Sequence, residues 1–297
     1  MVRLWSLFIE PFIRELAPRR VMEVGADKGW NTVRLLEYCR ETGCRADVID
    51  PAPDKGLRPN LERFPEEHVF HRLPSLKAMP LAEHPDLVLL DGDHNWHTVN
   101  SELNLLRRLS AERGKPFPCV LAHDVAWPYG RRDMYYSPDQ VEEKHPFAYQ
   151  GLVPGDAGVA EEGMNGHLAN ATREGGPRNG VLTAIEDFIA TAPFEIRLHV
   201  LPFFNGLGVL VPEARMTPEL ERLILGFFSG ETLLKACKAL EADSIQVRIE
   251  LAKAETRLAR RTDALKRARE LIGRQEAEIV ALKERQAGAK PAKDAVQ

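Results

Sequence analysis

The sequence predicts an α/β chain: a Rossmann-like, seven-stranded, mostly parallel sheet closed by an antiparallel hairpin, followed by a C-terminal coiled-coil helix. Three observations carry this. From Arg20 onward short apolar runs alternate with helical periodicity, as parallel strands joined by crossover helices require. Two late apolar runs flank Asn205-Gly206, a hairpin signal. Beyond Gly230 apolar residues recur in a 3-4 alternation, the mark of a coiled coil.

The first strand spans 21–24 and leads into Gly25-Ala26-Asp27-Lys28-Gly29, with a helix over 31–42. Glycine tolerates positive φ and leaves backbone open to a ligand, and the helix start aims its N–H groups at the turn. The spacing Glu23-x-Gly25-x-x-x-Gly29 is wider than the dinucleotide fingerprint. A second strand, 46–49, ends at Asp50, where folds of this kind hold ribose hydroxyls, although a turn acid before Pro51 fits the same residue. A third strand is expected at 69–73, followed by Pro74-Ser75-Leu76.

The apolar run 87–90 reads as a central parallel strand. It delivers Asp91, Asp93 and His94 to the edge where open α/β sheets bind ligands, ahead of Trp96, His97 and a helix over 99–109. A fifth strand, 118–122, releases His123 and Asp124 at the same edge. Asp91 and Asp124, with His123 or Asp93 nearby, could hold one divalent cation; such an oxygen-rich set suits Mg²⁺, Mn²⁺ or Ca²⁺. The same acids could also be solvated loop residues and helix caps.

A long insertion, 126–180, reads as a lid. Its Trp127, Tyr129, Arg131, Arg132, Tyr135 and Tyr136 could stack on a ring and grip an anionic group, or form a structural or dimer contact. A helix over 181–190 and strands at 195–201 and 207–211 complete the sheet, and a linker helix occupies 217–230. In the coiled coil, 231–286, Leu233, Leu240, Val247, Ala254, Arg261, Ala268, Gln275 and Leu282 form one seam row. Cys237, Ser244, Leu251, Leu258, Leu265, Ile272 and Ile279 form the other. Residues 287–297 read as a disordered tail and 1–19 as a leading amphipathic helix without a signal-peptide core.

Composition is ordinary: 297 residues, 44% hydrophobic, 28% charged, net charge −4. From Glu231 on the chain carries +4, and the rest −8. Nothing in this marks a nucleic-acid binder, and no apolar run reaches the roughly 18 residues of a membrane span. Cys39, Cys44, Cys119 and Cys237 lack metal-ligand spacing and suit a reducing, cytoplasmic setting.

Glu23/Gly25/Gly29, Asp50, Asp91-Gly92-Asp93-His94, His123-Asp124 and the closing hairpin together resemble class I S-adenosylmethionine-dependent methyltransferases. The similarity is to the subgroup of macrocin-type and rhamnosyl O-methyltransferases and cephalosporin-hydroxylase-like proteins. It covers about 20–212, so 20–216 is read as the methyltransferase domain. The resemblance implies cofactor contacts at Glu23, Gly25, Ala26, Asp27, Gly29, Asp50, Ser75 (toward adenine) and Asp91. It implies a divalent cation, Mg²⁺ above all, on Asp91, His123 and Asp124, with His123 standing where the subgroup often has an acid. Asp93 or His94 would take the proton of a sugar or other glycan or natural-product hydroxyl. Acceptor contacts would come from Trp96, His97, Trp127, Tyr129, Arg131, Arg132, Tyr135 and Tyr136, and the coiled coil would join copies into a homo-oligomer. Competing readings are a metal-independent methyltransferase, a hydrolase on the same rim, and a non-catalytic coiled-coil scaffold.

Overall fold

A computed structural model describes residues 1–288 of the chain. It divides into two compact units, Met1–Ala236 and the helical remainder from Cys237.

In the first unit five parallel strands, β1 (Arg20–Val24), β2 (Arg45–Ile49), β3 (His68–His71), β4 (Leu87–Leu90) and β5 (Cys119–His123), join β9 (Ile196–Leu201) and β10 (Leu207–Pro212). The order is β3-β2-β1-β4-β5-β10-β9, with β10 antiparallel to both β5 and β9. This is the predicted sheet with its closing hairpin. The central strands are buried on both faces, which is why 87–90 is uniformly apolar. The third strand stops two residues earlier than expected, because pairing with β2 ends at Ile49 opposite His71.

Register places the functional edge. Val24 pairs with Ile49 and with Leu90, and Leu90 pairs with Ala122. The next residues, Gly25, Asp50, Asp91 and His123, the last residue of β5, therefore lie side by side at that edge.

Of the helices, α2 (Trp30–Thr42) starts at Gly29 and ends at Gly43, both left-handed. The helix α5 (Trp96–Glu112) begins earlier than the apolar pattern shows, because the Asn95 side chain accepts from Thr98 N. α3 (Leu57–Glu62) and α4 (Ser75–Ala78) are short, and α6 (Val181–Thr191) packs beside α5. The leading segment is helical as expected, with a π turn at Trp5–Ile9 before α1 (Glu10–Leu16). It is a core element: Leu4, Phe8, Ile9, Phe12 and Ile13 are fully buried.

The insertion is more ordered than its composition suggests. β6 (Met134–Tyr135), β7 (Phe147–Ala148) and β8 (Ala169–Ala171) make a small antiparallel sheet. Tyr129, Met134 and Leu152 form one local core, and Tyr135, Val141 and Ala169 another. The expected linker helix is α7 (Pro218–Gly226), and a new helix, α8 (Gly230–Gly288), starts after a break. The helix continues through 287 and 288; the rest of the expected tail lies outside the described residues.

From Cys237 on, α8 is a single continuous helix whose seam residues, such as Leu258 and Leu265, are exposed.

Candidate functional site

The loop after β1 is shaped by two constraints. Gly25 holds φ 87°, and a Cβ there would lie 2.1 Å from the Asp91 carbonyl oxygen. Only glycine lets the β1 and β4 loops close on each other at this point. The Asp50 carboxylate then fastens the turn: Ala26 N and Asp27 N donate to one oxygen, each at 3.0 Å, and Ala52 N donates to the other at 2.9 Å. Asp50 is thus committed to the loop backbone.

Glu23 is buried beneath the loop. One oxygen accepts from Asn31 Nδ2 at 2.8 Å, and the other is buried without a partner. Burial pushes its carboxyl up to about 7, against the neighbouring polar groups of Thr32 and Asn31 that pull it down. The Met1 ammonium donates to Asp91 Oδ2 at 2.9 Å and acts electrostatically on Glu23 as well.

Asp91, His123 and Asp124 converge. His123 Nδ1 lies 2.9 Å from Asp91 Oδ1 and 2.9 Å from Asp124 Oδ2, and the three ligand atoms fall within 4.8 Å of one another. His123 Nε2–H donates to the Phe204 carbonyl at 2.8 Å, which leaves Nδ1 to face the carboxylates. A ring held this way is how metal-ligating histidines are oriented. Asp124 sits at φ 59°, a conformation rarely held outside glycine and concentrated at functional sites.

The electrostatics follow from burial and proximity. Burial alone would depress His123, but Asp91 and Asp124 outweigh it and raise the imidazole to about 10. Burial would likewise raise Asp91, yet His123 and the Met1 ammonium hold it well below the carboxylate range. Asp124 is lowered too, as His94 and His123 overcome its desolvation. Metal-free, the trio is an imidazolium shared by two carboxylates. With Nδ1 deprotonated, it is one nitrogen and two carboxylate oxygens aimed at a common point, a donor set that fits a hard divalent cation.

His94 and Asp93 divide the neighbouring space unequally. Asp93 accepts from His94 N, Asn95 Nδ2 and Thr98 Oγ1, so it serves the start of α5. His94 Nδ1 lies 3.4 Å from Asp124 Oδ2. Its ring stacks on Tyr129, centroids 5.7 Å apart, and lies 5.8 Å from Tyr136. Tyr136 is 60% exposed and presents a free aromatic face beside the trio.

The other residues expected to meet an acceptor are engaged in the fold. Arg131 forms a bidentate pair with Glu186 and donates to Thr183. Arg132 is fully buried and donates to the carbonyls of Ala171 and Ala157. Tyr135 OH donates to Asp133 and accepts from His145 N. Trp96 Nε1–H donates to Asp187, with Arg178 stacked over its ring at 5.0 Å. Trp127 packs on the Tyr129 cluster, and His97 is half-buried in the first turn of α5. Ser75 opens α4.

Sequence reasoning passed over Asp133 and Glu102. Asp133 accepts from Trp96 N, Gly180 N and Tyr135 OH, tying the insertion to α5 and α6; nothing local announces such a hub. Glu102 is buried on α5 with both oxygens unpartnered, and burial raises it to about 8. An acid interrupting the apolar face of Val99, Leu103 and Leu106 was its available signal. Two surface grooves, both lined by Pro193, Phe194 and Glu195, open at the opposite edge of the sheet, away from these groups.

No protein-family model and no curated protein matches the chain. Among solved structures, an S-adenosylhomocysteine-bound methyltransferase from Podospora anserina aligns over 71% of this chain and 77% of its own, at 16% identity and TM-score 0.44. A 1,6-didemethyltoxoflavin-N1-methyltransferase from Burkholderia thailandensis aligns over 68% and 75%, at 16% identity and TM-score 0.39.

Proposed function

We propose that the protein is an S-adenosylmethionine-dependent O-methyltransferase, assisted by a divalent cation, acting on a hydroxyl of a sugar or other small natural-product acceptor. The observation that carries the reading is the meeting of Asp91, His123 and Asp124 at a strand edge against which the Gly25 turn is packed. Two features of this chain fit the cofactor. The Gly25–Gly29 turn opens onto the start of α2, and Glu23 keeps a buried oxygen without a partner. Glu23 and Asp91 would hold a ligand ammonium, and Gly29 the approach to the helix start. Asp50 would act through the turn it fastens, and Ser75 would lie toward the base.

Asp91, His123 and Asp124 would hold the cation, Mg²⁺ above all, which when bound supplies Lewis-acid polarisation of a coordinated hydroxyl. The chain's own residues do the rest. His94 accepts the acceptor's proton at Nε2 while Asp124 steadies its Nδ1 side. Tyr136 offers its exposed ring as a stacking face for the acceptor. Asp93 positions His94 through the turn before α5. Orientation of donor and acceptor at one edge is the main source of rate, worth roughly 7–11 kcal/mol in well-aligned systems.

A metal-independent transfer has one observation in its favour: the His123 imidazolium already balances the two carboxylates. Calorimetry with S-adenosylhomocysteine, with and without Mg²⁺, tests both readings. No binding in either condition would refute the methyltransferase reading. Binding and turnover indifferent to Mg²⁺ and EDTA would leave the metal-independent form. The four free cysteines support a reducing compartment such as the cytoplasm. We also read α8 as one strand of a coiled coil that joins copies of the chain; loss of self-association on truncation after Gly230 tests this.

A further inference from the structure

Among the described residues, the long helix exposes an apolar seam. Assigning Leu251, Leu258, Leu265, Ile272 and Ile279 to heptad position a puts Val247, Ala254, Arg261, Ala268, Gln275 and Leu282 at d. These apolar a residues are 51–66% exposed. A helix of 59 residues, about 88 Å at 1.5 Å per residue, gains little from propensity alone and needs a packed face.

The two rows differ in size, and that difference selects an orientation. A parallel, in-register pair stacks a on a and d on d. Its layers would alternate between two large side chains and two small ones, and one layer would set Arg261 against the partner's Arg261. An antiparallel pair stacks a on d. With the two copies centred on residue 263, Leu258 faces the partner's Ala268, Ile272 faces the partner's Ala254, and Ile279 faces the partner's Val247. Leu251 faces the partner's Gln275, Leu265 the aliphatic stem of the partner's Arg261, and Leu282 the partner's Ser244. Every layer then combines a large residue with a smaller or flexible one, the condition for interdigitated packing. The same alignment brings Glu241 beside the partner's Lys283, Arg248 beside the partner's Glu276, and Glu255 beside the partner's Arg269, opposite charges at these three places, against one like-charged pair, Glu250 beside the partner's Glu278.

We infer that the partner of this helix is a second copy of the chain, docked antiparallel in this register. The inference rests on the coiled-coil reading above and is independent of the chemistry at the sheet edge.

The test uses the full chain in a Cys237→Ser background; the other three cysteines are buried. Ala264 lies beside the partner's Ala264 near the twofold axis of the antiparallel pair, whereas Ala268 lies about 15 Å along the axis from its counterpart. A short bis-maleimide should give at least about fivefold more covalent dimer from Ala264→Cys than from Ala268→Cys, and light scattering should give the mass of two chains. Efficient linkage through Ala268→Cys alone would mean a parallel pair and overturn the orientation while sparing the coiled coil. A one-chain mass would overturn both, and a mass above two chains would overturn the dimer.

Discussion

The sheet edge over β4 and β5 and the insertion that follows it are made from similar side chains put to opposite uses. Both contain buried acids, a histidine or arginine, and tyrosines. In the insertion, Asp133 meets two backbone N–H groups and a tyrosine hydroxyl, and Arg132 meets two carbonyls. Those polar groups complete the backbone's hydrogen bonding in a segment with little regular structure. At the edge, Asp91, His123 and Asp124 crowd like-charged oxygens around one nitrogen, an arrangement that stabilises poorly unless a proton or a cation sits among them. The lesson is that a polar cluster is a candidate site when its members satisfy one another incompletely, and scaffolding when each is fully partnered.

The sharpest way to break this contrast is Asp133→Ala. It should lower stability by about 3–5 kcal/mol, because two buried N–H groups and the Tyr135 hydroxyl lose their acceptor. Urea unfolding would show it, and a loss under about 1 kcal/mol would contradict the scaffolding role. Next, Asp91→Asn or Asp124→Asn should weaken Mg²⁺ or Mn²⁺ binding by about a hundredfold, some 2.7 kcal/mol. Unchanged affinity in isothermal titration would remove the cation from the edge.

A third outcome concerns pH. His123 is raised in the folded state to about 10 from an ordinary value of 6.5. Its contribution to cation-free stability should be complete below about pH 6.5 and fade as pH climbs through about 10. Cation binding must displace the Nδ1 proton, so affinity should rise between pH 7 and 9. His123→Gln, which cannot be protonated, should flatten both profiles, and an unchanged wild-type slope would count against the shared proton. The smallest effect is expected at Arg131→Ala, about 0.5 kcal/mol, since its pair with Glu186 is solvent-exposed. A large loss of acceptor affinity there would return Arg131 to the site.

Much of the architecture was readable from local pattern. The mostly apolar runs 21–24 and 46–49, interrupted by Glu23 and Asp47, and the fully apolar run 87–90 marked buried parallel strands, and Asn205-Gly206 marked the hairpin that β9 and β10 form. The acids at strand ends could be assigned to one edge because parallel strands all point the same way. The insertion was harder, since Arg132 looks the same in sequence whether it grips a ligand or the Ala171 carbonyl thirty-nine residues away, and Tyr135 whether it meets a ligand or Asp133. Glu102 interrupts an apolar helix face, a visible irregularity whose meaning depends on what packs over it.

By itself, then, the sequence determined the strand order's raw material, the edge at which Asp91, His123 and Asp124 emerge, and the unbroken heptads of α8, because each follows from a short-range period or turn. Only tertiary structure decided that Asp50 fastens the Gly25 turn, that Phe204 orients His123 from a hairpin eighty-one residues away, and that Asp133 joins three elements. Hydrogen-bond partners distant in the chain are chosen by packing, and no local pattern of residues encodes them.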